Sequence, residues 1–205
     1  MIPQRKMLSL ATTVFLGAAL FVSQGCGGGN DSSGTTTTGP VAIFTPDVAS
    51  PAPGTLALLS GTGSGASINV RVTVTGVTGF FGAAFRIQYD PTALLFNGMT
   101  DTGSLLRDGV VPEGNLLFSE NHTSVSGEIL VTATRLDPTV APPVDVTTTA
   151  DLVVLNFTAR KVLLPAATEG RVDFGDPKQV CDGTVVAPGC GTIAVTWSGG
   201  GISAQ

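Results

Sequence analysis

The chain has 205 residues, of which 12% are charged and 42% are hydrophobic, and its formal net charge is -5. That length can supply one substantial core, and abundant Val, Thr and Gly favour an all-β fold. The scarcity of Lys and Arg argues against nucleic acid or an anionic bilayer as a direct partner, since both require clustered positive charge.

Residues 1–25 have the organisation of an export signal. Arg5 and Lys6 precede an apolar run at residues 7–22, and a small residue stands before Cys26. The run has roughly 16 residues against about 20 for a membrane-spanning helix, so cleavage is favoured over a retained anchor. The segment resembles the signal of bacterial lipoproteins, in which Gly25 and Cys26 match the cleavage box. The resemblance implies removal of residues 1–25 and lipidation of Cys26.

Ordinary cleavage near Gly25, which would release a soluble secreted protein, is the alternative. In both cases the loss of Arg5 and Lys6 leaves eight basic and 15 acidic side chains, a net charge of about -7. Contact with a membrane is therefore expected through the lipid anchor only.

Residues 26–40 are rich in Gly, Ser and Thr and contain almost nothing that can be buried. Such a segment cannot offset the entropy cost of becoming ordered, so it predicts a flexible tether. A single β-sandwich domain is expected to follow at residues 41–202.

Short segments of alternating polar and apolar residues recur along this domain, separated by Gly, Pro, Asp and Asn. The predicted strands are residues 55–59, 68–75, 81–89, 94–96, 115–119, 128–135, 152–161, 171–174 and 192–197. Eight or nine short strands imply two packed sheets, as in a sandwich or a jelly roll.

Two neighbouring segments show the clearest alternation. In residues 68–75 the apolar face is Ile68, Val70, Val72 and Val74, and the other face is Asn69, Arg71, Thr73 and Thr75. In residues 81–89 the apolar face is Phe81, Ala83, Phe85, Ile87 and Tyr89, and the other is Gly82, Ala84, Arg86 and Gln88. Residues 76–79 predict a hairpin between the two strands.

After Tyr89, the sequence Asp90-Pro91 predicts a capped turn, because Asp90 can accept hydrogen bonds from following amides and Pro91 presets the first turn position. Residues 55–202 as a whole resemble the cohesin family of bacterial binding modules. The likeness lies in the ordered blocks INVRVTVTGV, GAAFRIQYDPTALLF, GEILVTATRLDP, ADLVVLNFTARK, GRVDFGD and GTIAVTWSGGGIS. It implies a jelly-roll β-sandwich of about nine strands that performs no catalysis.

The resemblance also implies a partner and a binding face. Cohesins bind dockerin modules, small calcium-loaded helical domains of other proteins, in polysaccharide-degrading assemblies. Residues 81–89 and 128–135 would lie on the recognition face, and the expected partner-binding residues are Ala84, Arg86, Gln88, Arg135 and Leu136. For Arg86 and Gln88 the alternative is an ordinary solvated sheet face. The register of residues 128–135 is ambiguous, since a slip of one residue reverses the two faces.

Cys181 and Cys190 form a pair once Cys26 is assigned to lipid. In an oxidising compartment such a pair usually closes a disulfide, and a ring of about 10 residues contributes roughly 2.5 kcal/mol in the loop-entropy model. A metal site would need three or four ligands, whereas the chain has one histidine and no CxxC. No metal or other cofactor is predicted.

Catalysis is not indicated by any motif. There is no nucleophile elbow, phosphate loop or HExxH, and His122 lies in SENHTS, which predicts a polar turn. A carbohydrate-binding module is the main alternative, although one Trp and one Tyr make a poor sugar platform. A structural or adhesive surface module is a third possibility. The sequence therefore predicts a non-catalytic protein-binding module on an exported protein, with a dockerin-like partner and no nucleic acid.

Overall fold

The computed structural model describes residues 42–109, 111–123, 127–161, 170–186 and 189–204. The predicted signal, Cys26 and the whole of the predicted tether lie outside these ranges. Within them the strands are β1 (Ala42–Pro46), β2 (Thr55–Ser60), β3 (Ser67–Phe80), β4 (Gly82–Tyr89), β5 (Leu94–Thr100), β6 (Leu116–Thr123), β7 (Glu128–Arg135), β8 (Val144–Ala159), β9 (Arg171–Val186), β10 (Gly189–Thr192), β11 (Thr196–Ser198) and β12 (Gly200–Ala204). Two short 3-10 helices, Leu105–Arg107 and Glu113–Asn115, lie between β5 and β6. The described ranges contain no helix that is long and apolar enough to cross a membrane.

The strands form two sheets. The larger sheet has the order β1-β12-β9-β4-β7-β6, with β10 added to β9, and the smaller has the order β11-β2-β3-β8-β5. Pairing between the described strands is antiparallel except for β11 with β2. The predicted all-β sandwich is confirmed, with more strands than the sequence indicated.

The core fills the space between the sheets because each central strand alternates as predicted. Val70, Val72 and Val74 of β3 are fully buried, as are Phe85 and Ile87 of β4. Burying each such side chain contributes roughly 1.5–3 kcal/mol relative to exposure.

Aromatic rings form two clusters in and against the core. One cluster joins Phe85, Phe174 and Trp197, and a second joins Phe157 to Tyr89 and Phe96.

The hairpin predicted at residues 76–79 is wrong, because β3 and β4 belong to different sheets. β3 continues through the glycines and pairs with β8 as far as Phe80, with shifts of register on the way. Gly76 and Gly79 have positive φ angles, so they accommodate bulges in a long strand instead of a hairpin turn. The chain then crosses between sheets, with Phe80 and Phe81 both buried.

The C-terminal strands also differ from the prediction. Residues 192–197 were expected as one strand, but β10 ends at Thr192 on the larger sheet and β11 begins at Thr196 on the smaller one. β12 then returns to the larger sheet and pairs with both β1 and β9. β1 and β12 were not predicted, because each is short and β12 begins with two glycines.

Candidate functional site

The outward surface of β4, β7 and β6 brings together most of the residues predicted to bind a partner. Ala84 of β4 pairs with Thr132 of β7, and Arg86 pairs with Leu130 in the next outward row. We call this surface the β4 face. It comprises Gly82, Ala84, Arg86, Gln88, Leu117, Ser119, Asn121, Glu128, Leu130, Thr132 and Thr134.

Polar contacts fix the side chains at one end of the β4 face. Arg86 Nη1 donates to Glu128 Oε2 at 2.7 Å, and both side chains remain partly exposed. Gln88 Nε2 lies 3.5 Å from Glu128 Oε1. Gln88 also lies across Gly175 of β9, where a Cβ atom would come within 2.8 Å of Gln88 Cδ. This end of the face is therefore ordered before any partner arrives.

Apolar side chains form the centre and the opposite end of the β4 face. Leu130 is 41% exposed between Arg86 and Asn121, and Leu117 of the edge strand is similarly exposed. Neither residue was predicted from the sequence. Thr132 and Thr134 follow Leu130 at alternate positions and contrast with Ile129, Val131 and Ala133, and that contrast was the signal for the correct register.

The side chain of Thr134 leaves room only for glycine at position 82. A Cβ atom there would lie 2.3 Å from Thr134 Oγ1, so the Thr134 side chain occupies the space above Gly82. The hydroxyl of Thr134 donates to the carbonyl of Arg135. A larger residue at position 82 would displace this threonine from the β4 face.

Arg135 does not lie on the β4 face, contrary to the prediction. It occupies the inward row of β7 and is 3% exposed. Its Nε and Nη2 atoms donate to the Leu106 carbonyl at 3.0 and 2.9 Å, and Nη2 also donates to the Asp108 carbonyl at 2.7 Å. Nη1 donates to the Pro142 carbonyl. Burial lowers the pKa of Arg135 below the usual value for arginine, and its role is to hold loops.

Leu136 is 52% exposed directly after β7, so it is accessible to a partner. Its backbone N–H donates to the Asn115 carbonyl at 3.0 Å, which fixes it beside the start of β6. Val140, in the loop that follows, is also exposed. Leu136 extends the apolar end of the β4 face.

A disulfide joins Cys181 to Cys190 across the β9–β10 hairpin, with 5.5 Å between the Cα atoms. Cys181 pairs with Gly82 in the sheet, so the hairpin borders the β4 face.

Replacing Cys181 and Cys190 together with serine should lower the free energy of unfolding by about 2.5 kcal/mol, because the unfolded chain regains the entropy of the open loop. Chemical denaturation measures this change. Peptide mapping without reductant should recover the two cysteine peptides joined. Free thiols at both positions in exported protein would contradict the prediction.

His122, the one histidine of the chain, lies within β6 instead of the predicted turn. Its ring packs edge-on against Phe96, with ring centroids 4.9 Å apart. In the described ranges, no group of three or more His, Cys, Asp or Glu side chains is placed to hold a metal ion.

A rigid β-sandwich with an open, mixed polar and apolar sheet surface is typical of a module that recognises another macromolecule. The chain belongs to the cohesin domain family, whose model matches residues 55–179. Cohesin domains are non-catalytic protein-binding modules. The recognition of this family from the sequence is confirmed.

Solved structures of similar fold include three from Acetivibrio cellulolyticus. A type II cohesin domain from its cellulosome is 15% identical, with a TM-score of 0.50 over 80% of this chain and 95% of that chain. The second type II cohesin module of its adaptor ScaA scaffoldin is 17% identical, with a TM-score of 0.50 over 76% and 83%. The type II cohesin dyad of the same scaffoldin is 15% identical, with a TM-score of 0.51 over 78% and 47%. No curated protein matches the chain.

Proposed function

We propose that this protein is a non-catalytic surface module whose β4 face captures a dockerin-like module of another exported protein. Membership of the cohesin family supports the class of partner. We choose this surface because Leu130 is exposed at the centre of an otherwise polar part of the face.

The arrangement around Leu130 suits a protein interface. An apolar anchor gains most from burial when polar groups surround it and exclude water from its contacts. Arg86 and Asn121 flank Leu130 across the strands, and Thr132 follows two residues later on the same face. The Arg86–Glu128 pair offers a partner both a positive and a negative group in fixed positions.

Affinity capture tests the proposal. The full chain, used as bait on extract from its own source cells, should retain a protein that mass spectrometry identifies as carrying calcium-loop helical repeats. A chelator should release that protein, because a dockerin module needs its calcium to fold. Failure to retain any such protein, while the bait remains folded, would contradict the proposal.

The location that we propose is the cell surface, with attachment through lipid on Cys26. The apolar run and the small residue before Cys26 support export, as does the disulfide. The tether of residues 26–40 would then hold the domain about 20 Å from the membrane on average. The β4 face would be accessible at that distance.

Cys26→Ala should abolish labelling by a fatty acid and move the protein from the membrane fraction to the soluble fraction. Each buried methylene contributes about 0.8 kcal/mol, and durable attachment requires more than one acyl chain. Metabolic labelling followed by fractionation measures both effects. An unlabelled wild-type protein, or a membrane-bound Cys26→Ala variant, would overturn the lipid anchor.

A further inference from the structure

The smaller sheet carries a groove that protein binding at the β4 face does not use. It lies on the outward surface of β2, β3, β8 and β5 and has a volume of about 600 Å³. Binding sites for small molecules commonly have volumes of roughly 300–1,000 Å³. The groove is therefore large enough to hold several sugar units or a molecule of similar size.

Two rows of paired residues form the floor of the groove. Asn69 of β3 pairs with Asn156 of β8 in the first row. Arg71 of β3 pairs with Val154 of β8 in the second row, which continues to Thr100 of β5. The floor therefore consists of polar groups around one aliphatic side chain, on strands that hold them rigidly.

An ion pair fixes the charged part of the groove. Arg71 Nε donates to both carboxylate oxygens of Asp151, at 2.8 and 3.1 Å, and Arg71 Nη2 lies 2.6 Å from Asp151 Oδ1. Both side chains remain partly exposed. Arg71 has further N–H groups, and each carboxylate oxygen has further acceptor capacity, so the pair can still bind a ligand.

The side chains of Asn69 and Asn156 differ in their hydrogen bonding. Asn156 Nδ2 donates to the Thr100 hydroxyl at 3.1 Å and lies 3.3 Å from the Gly98 carbonyl, so the amide is oriented along β5. The Asn69 side chain makes no hydrogen bond with the rest of the described chain. A ligand can therefore use the donor and the acceptor of Asn69 without breaking an internal contact.

We propose that this groove binds a neutral oligosaccharide. The single positive charge of Arg71 is balanced by Asp151, so the lining has no excess charge to attract an anion or a cation. Paired amides, a guanidinium, a carboxylate and hydroxyls match the alternating donors and acceptors of sugar hydroxyl groups. Val154 supplies an apolar contact for the C–H surface of a sugar ring. This second binding function is independent of the proposed partner capture.

The groove holds sugar without an aromatic platform. Trp197 packs against Phe85 and Phe174, and Tyr89 packs against Phe157, so neither ring lies in the groove. Hydrogen bonds that replace bonds to water contribute little net energy each, and we expect a dissociation constant of about 1 mM.

NMR titration of the isotope-labelled full chain tests the inference. Cellohexaose, xylohexaose and mannohexaose are each added to about 10 mM, well above the expected dissociation constant. At least one of them should shift the backbone amide signals of Asn69, Arg71 and Asn156 and leave those of Arg86 and Leu130 unchanged. Asn69→Ala should weaken that binding about five-fold, the effect of losing one net hydrogen bond.

Asn97→Ala is the matched control. Asn97 is an exposed asparagine of β5 outside the groove, and its Nδ2 donates to the Thr158 hydroxyl at 2.8 Å. The inference is wrong if no neutral hexasaccharide shifts the groove signals, or if Asn97→Ala weakens binding as much as Asn69→Ala does. Tighter binding of hexagalacturonate than of every neutral sugar would also overturn it. Partner capture by Arg71→Ala should match wild type, so failure of this inference leaves the proposed function untouched.

Discussion

Arg135→Leu should lower the free energy of unfolding by about 3 kcal/mol. The substitution keeps an apolar stem in the core but removes all donors to the Leu106, Asp108 and Pro142 carbonyls. The Leu106 carbonyl is buried, and a buried acceptor without a donor costs roughly 1–3 kcal/mol. The partly buried hydrogen bonds to the Asp108 and Pro142 carbonyls are lost as well. Denaturation in urea, followed by the fluorescence of Trp197, measures the loss.

Two further variants separate hydrogen bonding from charge. Arg135→Lys keeps the positive charge but cannot place a planar fork of donors, so it should recover only part of the stability. Arg160→Leu is the control, since Arg160 also donates to a carbonyl, that of Pro91 at 3.1 Å, but is exposed. Its effect should stay below about 0.5 kcal/mol. Equal losses for Arg135→Leu and Arg160→Leu would show that the buried guanidinium is not important.

The faces of β3 and β4 could be predicted because apolar and polar residues alternate there with strong contrast. The path of the chain between these two strands could not be predicted. Gly76 and Gly79 permit positive φ angles in a hairpin and in a bulge alike, and the choice was made by pairing of β3 with β8. That pairing joins residues about 70 positions apart, as between Val77 and Val146, and no local pattern specifies it.

Arg135 shows why the outward placement of the predicted residues was only partly correct. A charged residue at a strand end is normally exposed, and no local pattern indicates that this one is buried. Its acceptors at Leu106 and Asp108 lie 29 and 27 residues earlier in the chain, in and after a short 3-10 helix. Only the folded structure brings them to the end of β7. Ala84, Arg86 and Gln88, by contrast, follow from alternation within one strand.

Leu130→Asp should weaken capture of the dockerin-like partner at least about ten-fold, and Arg86→Ala about five-fold. The substitution removes the apolar contact that Leu130 would bury in the complex. An aspartate in its place would be desolvated without an opposite charge. Arg86→Ala removes one group of the fixed ion pair from the rim. Neither change should lower the melting temperature much, because both side chains are partly exposed in the free protein.

Matched controls lie away from the β4 face. Val48→Asp tests the effect of a new aspartate elsewhere on the surface, since Val48 is 43% exposed just after β1. Arg71→Ala, on the other sheet, tests the loss of a surface arginine that also has an acidic partner. Both controls should bind the purified partner like wild type in calorimetry. If Leu130→Asp and Arg86→Ala also bind like wild type, the β4 face is not the recognition surface. The fold would be unaffected by that result, because it depends on strand pairing and on the core between the sheets.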